Sequence, residues 1–122
     1  MNAEIAAFFA GKPRADALWR LLEARCAEQL SHYEVRVSKT QLSLFSGMMF
    51  ACLSLPRRKS QQGIIVTFGL PVRVQSERIW QATEPYPNRW THHVLVSDPA
   101  EIDDELLNWL AAAQVFAQKK KR

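Results

Sequence analysis

Glycine is scarce in this chain and cysteine scarcer still, and each scarcity removes a class of function. The four glycines among 122 residues are scattered. There is no glycine-rich loop to cradle a phosphate, no GxSxG nucleophile elbow, and no HExxH zinc helix. The two cysteines, Cys26 and Cys52, stand far apart, with neither a CxxC pair nor a zinc-type spacing. They read as small buried hydrophobes of a reducing compartment. Apolar runs such as residues 63–72 are too short to cross a bilayer. Glu4 stands where a secretory leader would carry its basic start, so a cytoplasmic location and no membrane partner are expected. No cofactor and no metal site is expected from these motifs.

What is present is an ordinary globular composition, 48% hydrophobic and 23% charged, at a length that suits one domain with its own core. The pI near 9.4 comes from the end of the chain. Residues 119–122, Lys-Lys-Lys-Arg, carry four of the 16 bases, and the remainder is 12 bases against 12 acids. The expected organisation is therefore a domain over residues 1–118 followed by a basic tail. Within the domain the signs segregate. Residues 35–97 contain Arg36, Lys39, Arg57, Arg58, Lys59, Arg73, Arg78 and Arg89 against only Glu77 and Glu84. Residues 98–118 contain Asp98, Glu101, Asp103, Asp104 and Glu105 and no base. Such asymmetry either steers a charged partner or pairs internally.

The hydrophobic period predicts the elements. A short apolar helix over residues 4–10 ends at Gly11, and a second runs from about 14 to 30 with its stripe on Trp19, Leu22, Cys26 and Leu30. At Tyr33 the period drops from 3.6 to 2, predicting strands over 33–37, 41–45, 48–55 and 64–68, with tight connections at 38–40 and 46–47. Ser76 reads as the cap of a short helix over 77–82, and Pro85 and Pro87 argue against regular structure around Tyr86. A fifth strand is expected over 90–97. Asp98 as N-cap, Pro99 at N1 and Glu101 at N3 then open a last helix whose stripe is Ile102, Leu106, Trp109, Leu110, Ala113 and Phe116. The class is α+β: a mainly antiparallel sheet of about five strands, two N-terminal helices and one C-terminal helix.

The blocks FFAGKPRADALWRLLE, VSKTQLSLFSGMMFACLSLPR, TFGLP and HHVLVSDPAEIDDELLNWL, in that order and spacing, resemble a bacterial family of small α+β domains described only as a domain of unknown function. Relatives of that family are similar to the C-terminal part of proteins labelled "predicted transport protein". The resemblance spans nearly the whole chain and implies a stand-alone copy of such a domain. It brings no catalytic or binding residues with it.

Strand parity locates the chemistry. Neighbouring strand residues point to opposite faces, so His92 and His93 diverge and do not chelate one ion. His92 joins Trp90, Val94 and Val96 on a core face with Val35, Val37, Leu42, Leu44, Met49, Ala51, Leu53, Ile64, Val66 and Phe68. The other face carries Arg36, Ser43, Phe45, Phe50, Cys52, Ser54, Ile65, Thr67, Thr91 and His93. Hydroxyls, aromatics, an arginine and a histidine on one face suit a shallow binding surface. Coverage of that face by a helix or a second subunit is the competing expectation, and a homodimer stays open. The candidate ligand-binding residues are Arg36, Lys39, Thr67, Arg73, Arg78 and His93. Lys39, in the first hairpin turn, is either solvated or an anchor for a phosphate or carboxylate.

The leading expectation is a binding or interaction module with an unidentified ligand. Two alternatives stand beside it. One is a nucleic-acid-associated protein using Arg57, Arg58, Lys59, Arg73, Arg78, Arg89 and the tail. The aromatics count against it, falling mostly in core stripes rather than among the bases, with Trp90 beside Arg89 the exception. The other is an enzyme with a dispersed site of His93 with Lys39 or Arg36.

Overall fold

A computed structural model describes residues 3–58 and 62–120. Lys59 and residues 121–122, named above as part of the basic loop and tail, lie outside the described residues. The alternating segments become strands: β1 (Glu34–Val37), β2 (Gln41–Ser46), β3 (Met48–Ser54), β4 (Ile64–Leu70), β5 (Ile79–Tyr86) and β6 (Arg89–Val96). Every pairing is antiparallel, and the order across the sheet is β1-β2-β3-β4-β6-β5. Helix α1 (Ala3–Phe8) leads into α2 (Pro13–Gln29), which opens with proline at its first turn where no N–H is needed. Helix α3 is Asp104–Lys120.

One sheet face is the core. Leu42, Leu44, Ala51, Leu53, Ile64, Val66, Phe68, Val94 and Val96 are buried there against Leu18, Trp19, Leu22 and Cys26 of α2 and Leu106, Leu107, Leu110, Ala113 and Ala117 of α3. Each large aliphatic or aromatic side chain so buried contributes about 1.5–3 kcal/mol. Polar staples fix the helices on this layer. Buried Gln114 accepts from the Ser31 N–H at 3.0 Å and donates to the Ser31 carbonyl at 2.9 Å, joining α3 to the α2–β1 link. Arg25 donates to the Ile102 carbonyl at 3.0 Å and to Asp104 at 2.7 Å. Arg14 of α2 reaches the Ser97 carbonyl at the end of β6.

The sequence expectation falls short by one strand. Residues 79–86 form β5 rather than a helix capped by Ser76. The outer edge of β6 offers a row of unpaired backbone groups, and satisfying them outweighs the local helix signal of Ser76 and Glu77. Pro85 is tolerated because β5 is an edge strand and the register shifts between Thr83 and Tyr86, so no ladder N–H is required of it. Asn88, at φ +62°, turns the chain into β6.

Because β4 and β5 both run antiparallel to β6, they are parallel to each other. The connection between them, residues 71–78, must therefore cross over β6 and carry the chain back from the level of Leu70 to that of Val66. It does so on the helix side: the Val74 N–H donates to His92 Nε2 at 2.9 Å, and Val74 packs on the core.

Two finer expectations are corrected. The capping box at Asp98 and Glu101 forms, but it opens a 3-10 turn (Pro99–Glu101), and α3 restarts at Asp104 with Asp103 accepting from the Leu106 N–H at 3.1 Å. A bulge also shifts the β2–β3 register, pairing Phe45 with Met49 but Leu44 with Ala51. Phe50 is thereby turned into the core against Tyr33, and Met49 goes to the other face, 37% exposed.

Candidate functional site

Helices α2 and α3 pack on the core face and leave the opposite sheet face without a covering layer, with Ala7 and Phe8 of α1 and Glu77 and Arg78 of the 71–78 connection reaching only the cleft beside it. The side chains of that face fall into cross-strand rows fixed by the register. One row runs Arg36, Ser43, Cys52, Thr67, His93, Gln81 from β1 to β5. A second runs Gln41, Ser54, Ile65, Leu95. Phe45, Met49, Gly69, Thr91 and Thr83 extend the face on the other side of the first row.

At the centre of the first row Thr67 Oγ1 and His93 Nδ1 lie 2.9 Å apart. Burial pushes the half-buried imidazole of His93 below its usual range, so the ring is neutral at neutral pH. Cys52 stands directly opposite Thr67. Burial pushes its thiol up, with the Thr67 hydroxyl pulling weakly the other way, so Cys52 is a neutral, unreactive thiol. From Ser43 to Gln81 the row is therefore a line of neutral hydrogen-bonding groups, with the Arg36 charge at its β1 end.

Flat groups stand at both ends of the row. At the β5 side Trp80, displaced outward by a bulge between Ile79 and Gln81, lies against His93 with ring centroids 5.5 Å apart and remains 56% exposed. At the β1 side the Arg36 guanidinium lies over the Phe45 ring, 4.0 Å from its centroid. A broad cleft of about 1410 Å³ opens beside the row, with Ile65, Leu95 and Trp80 on its floor and wall and Lys39, Arg57 and Arg58 at its rim. Gly69 lets the Arg89 side chain lie flat on the same face, since a Cβ there would stand 3.4 Å from the guanidinium.

Of the candidate residues, Arg36, Thr67 and His93 share the uncovered face and its central row, and Lys39 borders the cleft. Arg36 and His93 are four strand intervals apart, about 19 Å. Arg36 and His93 therefore do not meet as an acid–base pair. Arg78 is committed elsewhere. It donates to both carboxylate oxygens of Asp103 at 2.9 and 3.1 Å, to Glu105 at 3.0 Å and to the Glu101 carbonyl at 2.6 Å, while lying over Trp109. Arg73 sits beside Trp90, 5.7 Å from the ring centroid, on the 71–78 connection.

The two histidines are separated as parity requires. His92 is fully buried and stacked on Phe68 with centroids 5.1 Å apart, and Phe68 in turn stacks on Trp109. Among the described residues no group of three or more His, Cys, Asp and Glu side chains is placed to hold a metal ion, and no helix is long and apolar enough to cross a membrane.

Trp80, Met49, Arg89 and Gln81 are among the members of the face that sequence reasoning missed, as are Gln41, Gly69 and Thr83. For Trp80 and Gln81 the signal was the β-favouring run Ile79-Trp80 with Thr83, read as a helix because Ser76 offered a cap. No curated protein and no solved structure matches the chain. Residues 5–116 match a family described as "Domain of unknown function (DUF5655)", a span that takes in every strand and most of α3, and the chain belongs to that family.

Proposed function

We propose that the protein is a binding module whose ligand-contacting surface is the helix-free sheet face. The observation that carries this reading is Trp80. It is an indole 56% exposed on a strand, backed on one side by His93 and opening onto the cleft. A large aromatic held rigid and half in solvent serves recognition better than stability. The Thr67–His93 pair and Gln81 beside it supply polar anchors, and the apolar floor of Ile65 and Leu95 supplies area.

A thermal-shift screen of metabolites, nucleotides and short oligonucleotides tests this on the wild type, on Trp80→Ala, and on Arg20→Gln as a helix-side control. Ligand binding to the native state raises the melting temperature by mass action. The expected result is a shift that disappears in Trp80→Ala and survives in the control. A shift that survives in Trp80→Ala and is lost in the control would place the site on the helix side and sink the reading.

A further inference from the structure

We propose that the helix-free face takes single-stranded nucleic acid, a few nucleotides lying across the strands with phosphates on its basic side chains and a base stacked on Trp80. This rests on the reading of that face as the binding surface and names the ligand class.

The first support is where the charge goes. The acidic segment at residues 98–105 is largely consumed on the helix side: Asp103 and Glu105 by Arg78, Asp104 by Arg25, Asp98 and Glu101 by backbone N–H groups. On the other side, Arg36, Lys39, Arg57, Arg58 and Arg89 form no ion pair among the described residues. The acids near them are Glu34 at the β1 edge, Glu77 and Glu101 on the lining of the cleft, and Glu84, which accepts from the Asn88 N–H beside Arg89; Glu101 is already engaged by backbone N–H groups. Internal pairing on one side thus leaves the other positive.

The second support is how those bases are spread. They run from β1 to β6, four strand intervals or about 19 Å. A small anion is held by donors that converge on one point. Bases strung along a face match a ligand that carries its charge at intervals, which is a polyanion.

The third is flatness. Trp80 presents one open ring face, and the Arg36 guanidinium plane over Phe45 offers a second platform at the opposite end. Between them Ser43, Cys52 and Thr67 are short, so a strand can lie down without obstruction. Base-to-aromatic and base-to-guanidinium stacking on a sheet suits unpaired bases, whereas reading a duplex needs an element that enters a groove. Acidic protein segments would satisfy the bases but make no use of the platforms.

The test is fluorescence anisotropy with labelled mixed-sequence 12-nucleotide DNA and RNA, on the full chain, from 50 to 200 mM salt. Binding is expected, with affinity falling on a log–log slope of about −3 for some four phosphates contacted. Trp80→Ala should weaken binding about tenfold at an unchanged slope. The triple variant Arg36→Gln, Arg57→Gln, Arg58→Gln should flatten the slope by about 2. Because these side chains are exposed, unchanged melting temperatures will show that the variants are folded. Equal affinity for poly-glutamate or for the matching duplex would overturn the proposal. So would loss of binding when Lys119, Lys120, Lys121 and Arg122 are all changed to Gln, with Trp80→Ala neutral. If oligonucleotides fail to bind while the thermal-shift screen still yields a Trp80-dependent ligand, the nucleic-acid proposal falls and the binding face stands.

Discussion

Replacing Arg78 by methionine isolates the clamp that ties the β4–β5 connection to the start of α3. Methionine keeps an aliphatic stem over Trp109 and removes every hydrogen bond the guanidinium makes. The Arg78 side chain is 22% exposed, but its partners Asp103 and Glu105 are 45% and 53% exposed, so solvent screens both ion pairs. Screened pairs of this kind contribute about 0.2–1 kcal/mol each. The charged hydrogen bond to the Glu101 carbonyl adds about 1.5–3 kcal/mol. The expected loss is therefore about 2–5 kcal/mol, read as a lowered urea midpoint at unchanged m-value by tryptophan fluorescence.

The loss should depend on pH. Burial resists ionisation of Asp103, but the Leu106 N–H and the Arg78 guanidinium outweigh it and hold the carboxyl below its usual 3.8. A carboxylate with a depressed folded-state pKa contributes stability above its unfolded pKa and loses it as pH falls through the folded value. The gap between wild type and Arg78→Met should therefore be full at pH 7 and shrink below about pH 4. A gap under about 0.5 kcal/mol at pH 7, the scatter of an ordinary surface substitution, would refute the clamp. A gap unchanged at pH 3 would refute the role of Asp103 in it.

Two further substitutions probe the frame that holds the face open. Gly63 lies at φ +120°, and a Cβ there would meet the Val96 carbonyl oxygen at 2.2 Å, so Gly63→Ala should cost about 3 kcal/mol or more, or prevent folding, as checked by circular dichroism and chemical denaturation. Burial pushes His92 below its usual 6.5, and its neutral Nε2 is the acceptor for the Val74 N–H, so its contribution is full above about pH 6.5 and lost as pH falls through the lower folded value. The melting temperature of the wild type should therefore drop between pH 7 and pH 5 more than that of His92→Gln, and equal slopes would refute the assignment. His93, which burial shifts the same way, leaves a residual slope in both.

The parts of the fold that were legible in the sequence are those where one local rule acted alone. The period change at Tyr33, the turn at Gly47 and the capping box at Asp98 and Glu101 each came from a handful of neighbouring residues. The parts that were not legible depended on distant partners. β5 exists because the outer edge of β6 needs hydrogen bonds, and that distant need decides between the β-favouring Ile79, Trp80 and Thr83 and the helix cap offered by Ser76. The bulge that exchanges Met49 and Phe50 is a property of the β2–β3 register, invisible to strict alternation. Parity alone put Ser43, Cys52, Thr67 and His93 on one face. Only the register aligns them in one row and brings Trp80 onto His93. The charge segregation was plain in the sequence, but its meaning was not. Arg78 belongs by sequence to the basic half and by structure to the acidic half, where it neutralises its neighbours, while Arg36, Arg57, Arg58 and Arg89 form no ion pair among the described residues.

Amide and side-chain chemical-shift mapping, with the 12-nucleotide strand or with the ligand that the thermal-shift screen returns, addresses the role of the helix-free face most directly. The largest shifts are expected at the Trp80 indole N–H and at the amides of Thr67, Gln81 and His93, with α2 and α3 unmoved. Shifts concentrated on α2 and α3, with Trp80 and Thr67 silent, would contradict it.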